Sequence, residues 1–157
     1  MVEILIKPIE ISELSQFEWT GSSTHLKYFE DALKQSEVGK VLFLGAWSNG
    51  EAIGRCGIDF EKNAGKATIW MFNVKDGQQG QGIGTQLMEK AETLIADKGI
   101  REVVLNVEEE NIRAQELYIR RGYVSTGVGT ESWEEDGPNG TTVTYNAKVV
   151  HMSKKLS

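Results

Sequence analysis

Between a strand-like run, Ala67 to Val74, and a helix-like run that starts at Ile83, the chain reads Gln79-Gly80-Gln81-Gly82-Ile83-Gly84. The segment after that helix, Arg101 to Val107, is short and β-branched, as a buried strand is. Strand, glycine turn, helix and strand make a β-α-β unit, which implies that the two strands are parallel neighbours. The turn also points to a ligand. Glycine lets a backbone approach a bound group closely, because no Cβ intervenes. A helix start leaves N–H groups unpaired and carries roughly half a positive charge. Together these predict an anion site, most naturally for a phosphate or pyrophosphate.

Three phosphate patterns can be laid on this turn. A P-loop requires G-x-x-x-x-G-K-[ST]; Gly77 and Gly82 have the spacing, but Ile83 stands where the lysine belongs. A dinucleotide fingerprint requires G-x-G-x-x-G, whereas Gly80, Gly82 and Gly84 give G-x-G-x-G. Its acidic partner would fall near Glu102, at the start of the next strand rather than its end. The third pattern, [Q/R]-x-x-G-x-[G/A], is met by Gln79, Gly82 and Gly84. A glycine-rich surface turn without a ligand is the competing reading. A second segment bears on the choice. Asn111 to Tyr123 fits N-x-x-A-x-x-L-Y-x-x-x-G-[F/Y]. Asn111 is a good helix N-cap, Ala114, Leu117 and Tyr118 share a helix face, and Gly122 can end the helix. In this order and at this distance the two patterns resemble the GNAT superfamily of N-acetyltransferases. The resemblance is dense over about Ala67 to Gly127 and thinner on both sides.

Composition narrows the setting. A chain of 157 residues fits one domain, 1–157, with a real core. No apolar run has the length of a membrane span, and the N-terminus lacks a basic and apolar signal layout. The single cysteine, Cys56, forms no internal disulfide and lies in a strand-like run, where a small buried hydrophobe is expected. These features fit a cytoplasmic protein without a membrane partner. A net charge of −6 argues against nucleic acid and permits a cationic substrate. His25 and His151 are far apart, and no Cys/His cluster suggests a metal.

The chain is expected to begin with a strand, Glu3 to Pro8, followed by apolar positions Ile11, Leu14 and Phe17 at helical spacing. Ser22 or Ser23 caps a second helix with Leu26, Phe29 and Leu33 on its apolar face. Lys40 to Trp47 and Ala52 to Phe60 read as a hairpin about Asn49-Gly50. The helix from Ile83 carries Leu87, Met88, Ala91, Leu94 and Ile95 on one stripe and stops near Gly99. Strands at about Tyr123 to Trp133 and Thr141 to Ser153 close the chain. The order β-α-α-β-β-β-α-β-α-β-β is that of the GNAT fold: an α/β domain with a mixed sheet of about seven strands and about four helices.

The resemblance implies an acetyl-coenzyme A (acetyl-CoA)-dependent N-acetyltransferase. By similarity, backbone groups of Phe72, Asn73 and Val74 pair with the pantetheine arm, and the Val74 N–H polarises the thioester carbonyl. Gln79, Gly80, Gln81, Gly82, Ile83, Gly84 and Thr85 hold the pyrophosphate. Asn111 contacts the coenzyme arm, and Tyr118 gives a proton to the departing thiolate. Many relatives carry arginine at the position of Gln79, so this site is expected to rely on backbone N–H groups and neutral amides. No residue is singled out as general base: Asn106 stands where some relatives have glutamate, and Glu108 and Asp76 read as solvated loop acids. The acceptor is a small-molecule or peptide amine. Its pocket is expected to draw on Trp19, Thr20 and the last hairpin, where Glu131, Glu134, Glu135 and Asp136 either attract an amine cation or form a solvated tip. Trp133 suits packing or a homodimer contact. A non-catalytic acyl-CoA-binding or sensory domain on the same fold is the alternative function.

Overall fold

The computed structural model describes residues 3–157. Strand β1 (Leu5–Pro8) is followed by a 3-10 helix, Ile11–Thr20, and by helix α1 (Ser23–Lys34). The three-residue spacing of Ile11, Leu14 and Phe17 fits an α-helix too, and here it is met by a 3-10 helix, whose repeat is three residues. The hairpin β2 (Val41–Ser48) and β3 (Glu51–Asp59) turns at Asn49 and Gly50, whose φ values of 52° and 79° give the twist that a two-residue connection needs. Then come β4 (Ala67–Val74), α2 (Ile83–Asp97), β5 (Glu102–Glu108) and α3 (Ile112–Arg120). The chain ends in a long hairpin, β6 (Val124–Asp136) and β7 (Thr142–Lys155), which runs past the expected limits at its tip.

The seven strands form one mixed sheet in the order β1-β2-β3-β4-β5-β7-β6. Only β4 and β5 are parallel, the two strands joined through the glycine turn and α2. One face packs on α2 and α3 through Leu44, Ile58, Ile69, Leu87, Met88 and Val107. The other face is covered by the 3-10 helix and α1, where Phe17, Phe29, Phe43 and Trp47 meet edge to face at centroid distances of 5.0–6.0 Å. Cys56 is fully buried, and burial pushes its thiol up to about 12. Among the described residues no helix is long and apolar enough to cross a membrane.

One irregularity positions everything that follows. Met71, in the middle of β4, has φ +50°, and the β3–β4 register shifts between Arg55 and Gly57. This is a bulge, which bends a strand. Strands β4 and β5 pair only from Ala67↔Val103 to Ile69↔Leu105 and then part.

Candidate active site

Past Ile69, strand β4 presents backbone to a gap. The Lys75 N–H donates to the Ile53 carbonyl of β3 at 2.8 Å. Because successive N–H groups of a strand alternate in direction, the Val74 N–H points away from β3 and into the gap. The same alternation turns Phe72 toward it. The Val74 carbonyl accepts from Gln79 Nε2 at 3.3 Å, so the first residue of the glycine turn braces the strand end.

The bulge is held from behind by Arg55. Its Nε donates to the Met71 carbonyl at 3.0 Å, and a terminal nitrogen donates to Asn73 Oδ1 and lies 3.1 Å from His25 Nε2. The guanidinium also sits 4.6 Å above the Phe29 ring. Arg55 is 1% exposed, and burial lowers its pKa to about 9, which still leaves it charged at neutral pH. Burial, then the Arg55 charge, hold His25 below its ordinary value, so His25 accepts the bond as a neutral ring. Sequence reasoning passed over Arg55. Its signal was one cation inside the otherwise apolar and glycine-rich run Ala52 to Ile58.

The turn enters α2 through Gly82, whose φ of +79° is left-handed backbone that glycine adopts without strain. No side chain caps the helix, and the first bond recorded at its start runs from the Gln86 N–H to the Gly82 carbonyl at 3.0 Å. The amides of Ile83, Gly84 and Thr85 are those a helix start leaves open. The Ile83 side chain is 1% exposed and turns into the core. A Cβ on Gly84 would lie 3.0 Å from Leu117 Cδ2, so a side chain there would require the Leu117 side chain to give way by a few tenths of an ångström.

A cleft of about 410 Å³ joins these pieces. Phe72, Asn73 and Val74 line one wall; Gln79, Gly80, Gly82, Ile83, Gly84 and Thr85 line its base; Asn111 lines the far side. Two expected residues are not in the lining. Gln81 is exposed on the outside of the turn. Tyr118 is 5% exposed and stands behind Phe72, with ring centroids 5.9 Å apart. Desolvation by burial holds the Tyr118 phenol above its ordinary value. Asn111 also accepts the Ala114 N–H at 3.1 Å, the cap that its sequence position predicts.

The expectation of a cleft without cations is corrected here. Arg113 and Arg120 of α3 line it, and a Cβ on Gly80 would lie 3.3 Å from Arg113 Nη2. Arg113, Leu117 and Arg120 fall at i, i+4 and i+7, one helix face. That spacing is legible in the sequence, but it lies about thirty residues beyond the glycine turn, and only the packing of α3 beside α2 brings it to the cleft. Asp76, read as a solvated acid, lines the same cleft.

Opposite the cleft, the last hairpin is fastened onto α1. The Asp136 carboxylate accepts the N–H of Ser23 and of Thr24 at 3.0 and 3.1 Å, and both hydroxyls. These bonds hold its pKa down at about 2. Glu135 accepts from Ser22 Oγ at 2.5 Å and from Trp133 Nε1 at 2.9 Å, and Glu134 accepts from Tyr28 at 3.4 Å. Asp136 and Glu134 stay exposed, yet all three carboxylates are tied to α1 and its cap: Glu135 and Asp136 at the helix start, Glu134 at Tyr28. Trp133 stacks on Tyr145 with centroids 4.7 Å apart. Trp19 packs on Phe17, and the Thr20 hydroxyl donates to the Phe17 carbonyl at 2.7 Å, both at the mouth of the α1 layer.

Comparison with known proteins agrees with this geometry. The profile of the acetyltransferase (GNAT) family matches residues 8–123. A mycothiol acetyltransferase of Beutenbergia cavernae is 35% identical over 66 residues, which are 42% of this chain. The match takes in only 22% of that protein's length. Among solved structures, an IAA acetyltransferase from Bacillus cereus ATCC 14579 superposes with a TM-score of 0.75 at 16% identity, over 98% of this chain and 100% of that one. The PaiA N-acetyltransferase from Thermoplasma acidophilum, in complex with coenzyme A, gives 0.69 at 22% identity, over 98% and 99%. At these identities the structural likeness is one of fold.

Proposed function

This chain belongs to the acetyltransferase (GNAT) family, and we propose that it transfers the acetyl group of acetyl-CoA to a primary amine by direct attack on the thioester. One observation carries the reading: β4 and β5 part beside an uncapped helix start, so unpaired strand amides and a phosphate-type cradle face one cleft. A volume of about 410 Å³ is in the range of cofactor clefts. The amides from Gly82 to Thr85, with Arg113 and Arg120, take the pyrophosphate. Phe72 and Val74 take the pantetheine arm, and the Val74 N–H takes the charge that develops on the thioester oxygen. Holding amine and thioester together supplies much of the rate.

The amine approaches from the α1 face, since α2, α3 and Tyr118 fill the other. When the C–S bond breaks, Tyr118 gives its phenolic proton to the thiolate. The raised phenol pKa keeps that proton in place until it is needed. Acceptors of this class are small amines, amino-acid derivatives and protein amines. Thiol release from acetyl-CoA, followed with putrescine, phenethylamine and a short peptide with a free N-terminus, tests the proposal. Release that depends on one of these amines is expected. Coenzyme binding with no amine-dependent release would favour a non-catalytic acyl-CoA-binding domain instead.

A further inference from the structure

Arg55 is a buried cation that no anion of the protein answers. Its bonds go to the Met71 carbonyl, the Asn73 side-chain oxygen and the His25 ring, all of them uncharged. Among the described residues no carboxylate pairs with it. Its Nη1 is buried and makes no hydrogen bond at all. A charge taken out of water without an opposite charge is costly, and buried charges are as a rule paired. The arrangement is that of a site whose anion arrives from outside.

The charge lies one residue from the reacting centre. Arg55 and Asn73 are direct partners in the β3–β4 ladder, so their side chains share a face of the sheet. The contact with His25 identifies it as the α1 face, from which the amine comes. Asn73 is half-buried, lines the cleft, and immediately precedes Val74, whose N–H is assigned to the thioester oxygen. A guanidinium only donates, so the Asn73 carboxamide must turn its oxygen to Arg55. Its Nδ2 is thereby left as a donor, with no partner among the described residues.

We propose that Asn73 Nδ2 receives a carboxylate of the acceptor, with Arg55 behind it as the positioning residue and the balancing charge, and that the acceptor is an α-amino acid. The proposal rests on the acetyl-transfer reading and names its substrate class. In an α-amino acid one carbon separates the nitrogen from the carboxylate. A carboxylate held at Asn73 therefore brings the nitrogen to a thioester held at Val74. The guanidinium stands one amide group behind that carboxylate and is 1% exposed, so water screens their attraction little. The nearby acids of the last hairpin do not compete for the cation: Glu135 and Asp136 are bonded at the start of α1 and at Trp133.

Three pairs of amines that differ only by the α-carboxylate test this in the thiol-release assay: leucine and isopentylamine, phenylalanine and phenethylamine, arginine and agmatine. With kcat/KM referred to the unprotonated amine, the wild type is expected to favour the amino acid of the best pair by roughly ten- to a hundredfold. The matching amino-acid amide, which keeps the carbonyl and loses the charge, is expected to fall between the two. Asn73→Asp gives Arg55 an anion from within and removes the donor. In that variant the ratio within the pair is expected to fall to about one or to reverse; any loss shared by both amines cancels in the ratio. A wild type that uses acid and amide alike, that turns over putrescine or the peptide but none of the amino acids, or an Asn73→Asp variant that keeps the wild-type ratio would overturn the proposal while leaving acetyl transfer intact. The comparison of acid with amide in the wild type decides the matter even if the variant does not fold. A protein that binds coenzyme A and releases thiol with no amine of either panel would overturn the acetyl-transfer reading itself.

Discussion

Tyr118 has its ring edge-on to Phe72 on one side and to Tyr123 on the other, each with centroids 5.9 Å away. Phenylalanine preserves that packing and removes only the hydroxyl. Tyr118→Phe is therefore expected to keep its melting temperature and acetyl-CoA affinity while turnover falls roughly a hundredfold; steady-state kinetics beside thermal shift measure both. Unchanged turnover would take Tyr118 out of the chemistry. Cys56 gives a second prediction at this scale. A buried thiol with a pKa of about 12 offers almost no thiolate, so the native protein should resist a disulfide reagent that labels the denatured chain at once. Rapid native labelling would contradict its placement. At the residue scale the sequence was uneven evidence. Asn111 announced its cap because capping is local chemistry. Arg55 did not announce its grip on Met71 and Asn73, because that contact exists only once β3 and β4 pair around a bulge.

At the scale of elements, the wall of α3 matters most for the donor. Two cations on one helix face would oppose a pyrophosphate in the proposed site, so replacing Arg113 and Arg120 by glutamine should weaken acetyl-CoA binding by roughly tenfold per arginine and flatten its salt dependence. Titrations across a salt series read this directly, and an unchanged slope would remove the arginines from the site. The clasp between the hairpin tip and α1 has its own test. The Asp136 pKa is depressed to about 2 from 3.8, so its stabilising contribution is present above 3.8 and is lost as pH falls from about 4 toward about 2. Asp136→Ala should melt below wild type at neutral pH, with the gap closing across that acid window. Elements with strong local signals were legible: the Asn49-Gly50 hairpin, β4 to the residue, and α2 to within a turn. The 3-10 helix was less so, since apolar residues three apart fit both helix types until tertiary packing chooses. The clasp of the acidic tip on α1 was not legible, because Glu135 and Asp136 are bonded by backbone and hydroxyl groups at residues 22–24, far off in sequence.

At the scale of the molecule, function follows from a sheet that stops pairing in its middle. The parallel β4–β5 neighbours were deducible from the crossover, but their parting after Ile69 was not. A bulge at Met71, a residue with no special preference for positive φ, depends on the Arg55 bonds that stabilise it. The gap, the uncapped start of α2 and the arginines of α3 converge on one cleft, and the account stands on that cleft being a coenzyme A site. Thermal-shift titration of the intact protein with acetyl-CoA, coenzyme A, ATP and NAD tests it most directly. Ligand at a hundred times its dissociation constant adds about 2.7 kcal/mol, which for a domain of this size raises the melting temperature by roughly 5–10 °C. A rise of that order with acetyl-CoA and coenzyme A, and none with NAD, is the predicted result; stabilisation by ATP or NAD without any by coenzyme A would contradict it.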